Sequence, residues 1–98
     1  MSMEMANPRN WTKLLVLSAL EGRGWMRPEA IAELVGYRWA IHHLLYRYHR
    51  WGLLARHGKK YSRETWYRIT FRGRERLAML RAARDRVQNA PHDTAALS

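Results

Sequence analysis

The sequence predicts a mainly α domain carrying one small β-hairpin, and three observations lead there. Apolar residues recur at helical spacing in four stretches, around 11–22, 28–35, 38–51 and 71–88. Between the third and fourth stretches the period shortens to two, in residues 53–57 and again in 65–70, with a polar loop containing Gly58 between them. The chain has 98 residues and no cysteine, so it can close one modest core without disulfides.

The first helix is expected to begin at Trp11, capped by Asn10, with Asn7-Pro8 breaking whatever precedes it. Leu14, Leu15, Leu17 and Ser18 follow at helical spacing, and Gly22 marks the end. A turn and a short extended piece at 25–27 come next. Pro28 suits the first position of a second helix, because the N–H it lacks would be unbonded there, and Glu29 sits favourably against the helix dipole. Arg27 offers no cap. Gly36 stops this helix after about two turns, and a third helix resumes within one or two residues. Two short helices joined by a tight glycine-containing turn form a helix-turn-helix.

At about 100° per residue, Ile41, Leu44, Leu45 and Tyr48 of the third helix fall on one side, extended by Tyr37 and Gly52. That side is the core face. The opposite arc collects Trp39, His42, His43, Tyr46, Arg47 and Arg50, with Arg38 at the helix start. An exposed helix face normally carries Glu and Lys. This one is cationic, aromatic and free of acidic residues, the chemistry that meets phosphates and base edges. Trp39 either touches a base or sugar or packs back on the second helix. His42 and His43 are adjacent and lack the i, i+4 spacing of a helical metal site, so no metal is expected; contact to phosphate and a pH-sensing role both suit them.

In the second strand of the hairpin Tyr67, Ile69 and Phe71 alternate with Trp66, Arg68 and Thr70, which sends the first set inward. The hairpin loop, 58–64, carries Lys59, Lys60 and Arg63 beside a single acid, Glu64, and is expected to meet phosphates. Thr70 can cap a last helix from Phe71 to about Gln88, with Leu77, Leu80 and Val87 as its apolar stripe. Trp11, Trp25 and Trp51, each at an element end or beside an apolar face, are expected in the core. Residues 1–9 are expected to be a flexible lead-in, 10–88 the domain, and 89–98, with Pro91 and no apolar period, a disordered tail.

The phrase "IAELVGYRWAIHHLLYRYHRWGLLAR", followed by "YRITFRGRERL", resembles the winged helix-turn-helix domain over roughly residues 11 to 88. The likeness rests on Ile31-Ala32, Leu34 and Gly36 at the turn, on Ile41, Leu45 and Tyr48 behind the third helix, on Gly52-Leu53 where that helix gives way to a strand, and on Gly73 opening the last helix. It is similar to the MarR, PadR and ArsR types of small prokaryotic transcription regulator, which are usually dimers. The resemblance implies a third helix (38–51) in the major groove of double-stranded DNA and a hairpin loop on the flanking backbone or minor groove.

Charge agrees with that expectation. The formal net charge is +10, and apart from Lys13, Lys59 and Lys60 every strong cation is Arg, whose planar fork suits phosphate and guanine, although an Arg-rich background composition gives the same bias. No apolar run approaches the roughly 18 residues of a membrane span, and the start lacks the apolar centre of a signal peptide, so a cytoplasmic, nucleoid-associated location is expected. Eight scattered acidic residues, with no glycine-rich phosphate loop and no Ser/His/Asp arrangement, leave no enzyme and no cofactor in view. A homodimer is expected through the first and last helices, where Leu14, Leu17, Leu77, Leu80 and Val87 exceed the needs of one small core. The rival reading is a winged-helix adaptor for protein or RNA; the basic third-helix face argues against the protein adaptor, whereas RNA suits that face as well.

Overall fold

The computed structural model describes residues 4–36, 39–59 and 64–88. A 3-10 turn, Glu4–Ala6, leads into α1 (Pro8–Leu20), α2 (Pro28–Val35), α3 (Ile41–Arg50), β1 (Leu54–His57), β2 (Trp66–Ile69) and α4 (Phe71–Gln88). The two strands pair antiparallel, with Leu54 opposite Ile69 and His57 opposite Trp66. Mainly helical with one hairpin, the architecture is the expected one. The differences lie at element ends.

Helix α1 starts at Pro8, not Trp11. Asn7 is its cap, with Oδ1 accepting from the Arg9 N–H at 3.0 Å, and the Asn7-Pro8 pair read as a breaker is in fact the start. The segment ahead of α1 packs on the helices: Met5 is only 5% exposed, and its carbonyl accepts from the Trp11 indole N–H at 2.8 Å. Helix α2 begins at Pro28 without a side-chain cap and ends on Gly36, whose φ of 70° is the left-handed conformation that glycine adopts without strain.

The third helix is shorter than the 38–51 expected. Ala40 stands at its N-terminal cap with φ 54°, and regular bonding begins with the Leu44 N–H to the Ala40 carbonyl. A left-handed alanine costs about 1 to 2 kcal/mol. Ala40→Gly is accordingly expected to stabilise the domain by about 0.5 to 1 kcal/mol, since part of the relief is lost to the freer unfolded chain. Urea unfolding measures it, and no gain would mean that Ala40 is not held left-handed in solution.

After α3 the chain turns sharply, with the Leu53 N–H returning to the Tyr48 carbonyl, and enters the hairpin. Met26 adds a one-residue third strand, exchanging both backbone hydrogen bonds with Tyr67 at 2.8 Å, as the short extended piece at 25–27 foretells. Thr70 caps α4 as expected, accepting from the Gly73 N–H at 2.9 Å, and also donates to the Gly52 carbonyl at 2.6 Å. One hydroxyl thus ties the end of α3 to the start of α4.

The core lies where α1 and α4 cross behind the hairpin, closed by α2 and α3. Leu14, Leu17 and Leu20 meet Leu77, Leu80 and Ala83 there, and Tyr67 and Ile69 supply the sheet's inner face. Phe71 does not join them. It is 68% exposed, because β2 ends at Ile69 and the helix that follows breaks the alternation. Trp11, Trp25 and Trp51 also lie outside the core, each more than a third exposed, because Leu, Ile and Tyr67 already fill it. Lys13 stands 4.9 Å from the Trp51 ring and Arg68 5.5 Å from that of Trp25, so these indoles carry cations on their faces.

Candidate nucleic-acid interface

Burial along α3 divides the helix into three strips. Ile41, Leu45 and Tyr48 are buried; His43, Arg47 and Arg50, at i, i+4 and i+7, are exposed. No acidic residue stands in the helix, so this outer strip is purely cationic or imidazole in character. Tyr46, half-buried beside it, lies under the Arg56 guanidinium of β1 at 5.2 Å and faces the His49 ring at 6.0 Å. His49 Nδ1 in turn lies 3.1 Å from the Leu54 carbonyl, fastening the last turn of α3 to β1.

Two residues of the expected arc differ in placement. His42 turns to the flank of α3 and is partly buried, with its Nδ1 shielded from solvent, because it stands about 100° from Ile41 at the centre of the core face. Trp39 is not on the helix. It sits in the turn before it and is 81% exposed, so of the two readings open to it, packing on α2 falls away. A large indole projecting there adds apolar surface at the edge of a basic strip.

In the hairpin loop, Lys59 is exposed, and its backbone carbonyl accepts a hydrogen bond from the buried Thr65 hydroxyl, which closes the loop's base. Arg38, Lys60 and Arg63 lie outside the described residues. The tail expectation for 89–98 lies outside them as well.

Four cations that sequence reading passed over gather on the other flank of α3. A cleft of about 360 Å³ between α1 and α3 is lined by Arg9, Lys13, Arg47 and Trp51, among others. A second, of about 490 Å³, is lined by Lys13, Arg50, Trp51, Leu53, Arg72 and Arg76. Neither has an acidic residue in its lining. Burial first, and then the charge of Arg76, hold the Lys13 ammonium below its ordinary pKa. The sequence did carry a signal: Arg9 and Lys13 are spaced i, i+4, and so are Arg72 and Arg76, each pair forming a basic patch on one helix face.

Among the described residues no group of three or more His, Asp or Glu could hold a metal ion, and no helix is long and apolar enough to cross a membrane.

Comparison by sequence finds no match, either to family models or to curated proteins. Comparison of structures does. The chain is similar to a protein described as a transcriptional regulator from Pseudomonas aeruginosa PA01, with 28% identity and a TM-score of 0.69 over 97% of this chain and 66% of that one. It is similar to the PcaV transcriptional regulator from Streptomyces coelicolor, solved with its natural ligand, at 27% identity and a TM-score of 0.62 over 92% of this chain and 64% of that one. A MarR-family regulator from Silicibacter pomeroyi shares the fold at 20% identity and a TM-score of 0.61, over 86% of this chain and 62% of that one. The chain thus spans a little under two thirds of the length of these structures.

Proposed function

From a winged helix-turn-helix fold shared with transcription regulators, we propose that the chain is a double-stranded DNA-binding regulator that lays α3 in the major groove and the hairpin loop, 58–64, on the phosphate backbone. The observation that carries this is the acid-free strip His43, Arg47 and Arg50, exposed along a helix whose other side is core. Arg38, Trp39, His42 and Tyr46 flank that strip in the proposed site, and Lys59, Lys60 and Arg63 serve the loop. The protein then acts at the nucleoid, in the cytoplasm.

The proposed homodimer uses α1 and α4, but not the leucines first expected. Leu14, Leu17, Leu77 and Leu80 are consumed inside the protomer. Trp11 and Leu15, one turn apart on α1, stay exposed for a partner beside an open cleft of about 540 Å³ that Arg84 of α4 also lines.

The test compares a duplex recovered by selection from a random library with an unselected duplex. Arg47→Ala or His43→Ala is expected to lower affinity for the selected duplex by about 1 to 3 kcal/mol and to bring the two affinities together, since base-edge contacts carry the discrimination. Lys59→Ala is expected to weaken both alike and to flatten the slope of log K against log salt by about 0.9. Helix variants that weaken both duplexes in parallel would point to a binder of backbone and shape. If neither set changes duplex binding while RNA or a protein partner binds normally, the adaptor reading replaces this one.

A further inference from the structure

A helix lying in the major groove has a phosphodiester backbone on each side of it. On α3 one flank, carrying His49, faces the hairpin through the Leu54 carbonyl, and the hairpin loop is the proposed phosphate contact on that side. The opposite flank, carrying Leu44, Arg47 and Trp51, faces α1, and there the two clefts join, because Lys13 and Trp51 line both. We propose that this joined trough is a second track for the backbone of the same duplex, with Arg9, Lys13, Arg72 and Arg76 as phosphate-contacting residues. The proposal rests on α3 being the helix that enters the groove.

Three features favour a phosphate track. Cations from α1, α3 and α4 converge on it with no acidic residue in the lining, so their mutual repulsion is relieved by an anion from outside. The lowered pKa of Lys13, from burial and from Arg76, is that repulsion and desolvation made visible. The Arg72 side chain reaches over Gly52 at the end of α3, its Cδ 3.4 Å from where a Cβ on that glycine would stand.

The trough suits a duplex backbone better than a small anion or a single strand. It runs from the first turns of α1 past the end of α3 to the first turns of α4, a length for successive phosphates and not a cup for one. Trp51 could have served as a stacking platform for unpaired bases. Its ring instead has the Lys13 ammonium 4.9 Å from its centroid and the Tyr48 ring 5.9 Å away, tilted by 31°, which leaves it as floor.

The experiment measures duplex affinity of the full chain across a range of salt for Arg72→Ala/Arg76→Ala, with Arg47→Ala as reference and Arg23→Ala/Arg86→Ala as a control of equal charge away from the trough. Circular dichroism establishes that each variant is folded. The trough variant is expected to flatten the slope of log K against log salt by about 1.8, from two phosphate contacts at about 0.9 each, with the ratio of selected to unselected affinity unchanged. The control is expected to move the slope far less. If Arg47→Ala lowers affinity and the trough variant behaves like the control, the trough is not a backbone track, though the reading of α3 stands. If Arg47→Ala also leaves duplex binding intact, that reading falls and the track with it. Loss of single-stranded DNA or RNA binding, with duplex binding retained, would overturn the duplex assignment.

Discussion

Gly73→Ala is expected to cost about 3 kcal/mol or more, enough to unfold much of the population of a domain this small. Gly73 is buried in the first turn of α4 at its closest approach to the hairpin. A Cβ there would overlap the Leu53 carbonyl oxygen and come within 2.7 Å of Ile69 Cγ1. The first obstacle is backbone and cannot rotate away, and the second is a core side chain at 4% exposure. The same turn is pinned by Thr70, which receives the Gly73 N–H and donates to the Gly52 carbonyl, so α4 cannot back off without breaking both bonds. Gly24→Ala is the internal comparison. Nothing lies within 4 Å of a Cβ at Gly24 and its φ is not positive, so that change is expected to be neutral or to stabilise by about 0.4 to 1 kcal/mol. Urea midpoints of the two variants decide it, and a Gly73→Ala protein within about 0.5 kcal/mol of wild type would mean that α4 and the hairpin are not so closely packed.

Leu17→Ala is expected to cost about 3 kcal/mol, in the range of 2 to 5 seen for buried leucines. Leu17 is 0% exposed on the face of α1 that meets α4, and truncation leaves a hole among Leu77, Leu80 and their neighbours. For a domain of this size that is a fall in Tm of roughly 4 to 8 °C per kcal/mol. Leu15, two residues away and 48% exposed, is expected to behave differently. In the protomer Leu15→Ala costs within about 0.5 kcal/mol. In the proposed dimer the same change removes apolar surface from the contact, so the loss of Tm is expected to be largest at high protein concentration and to shrink as dilution dissociates the wild-type dimer. Sedimentation of wild type and Leu15→Ala between one and one hundred micromolar reads the association directly. A wild-type protein that is monomeric throughout that range would rule out the α1 and α4 dimer.

The contrast between Leu15 and Leu17 marks the line between what the sequence determined and what only the tertiary structure decided. Signals that act within about four residues of themselves were legible from the sequence. Pro28 began α2, Gly36 ended it, Thr70 capped α4, and the change from helical period to alternation announced the hairpin. The buried and exposed strips of α3 were legible as well, because a helix of known handedness carries its own wheel.

A wheel says which residues share a face but not what that face will meet. Leu14, Leu17, Leu77 and Leu80 looked like a surplus for a partner until α1 and α4 were seen to bury them against each other. Trp11, Trp25 and Trp51 looked like core until smaller side chains filled it, and His42 looked like part of the outer strip until the fold left it partly buried with its Nδ1 shielded. The late start of α3 at a left-handed Ala40 was invisible, since alanine is the last residue whose sequence would announce that conformation. The two basic pairs, Arg9 with Lys13 and Arg72 with Arg76, could each be read from their spacing. That they stand on either side of Trp51 and make one trough depends on contacts between opposite ends of the chain, and such contacts are set by packing and not by local sequence.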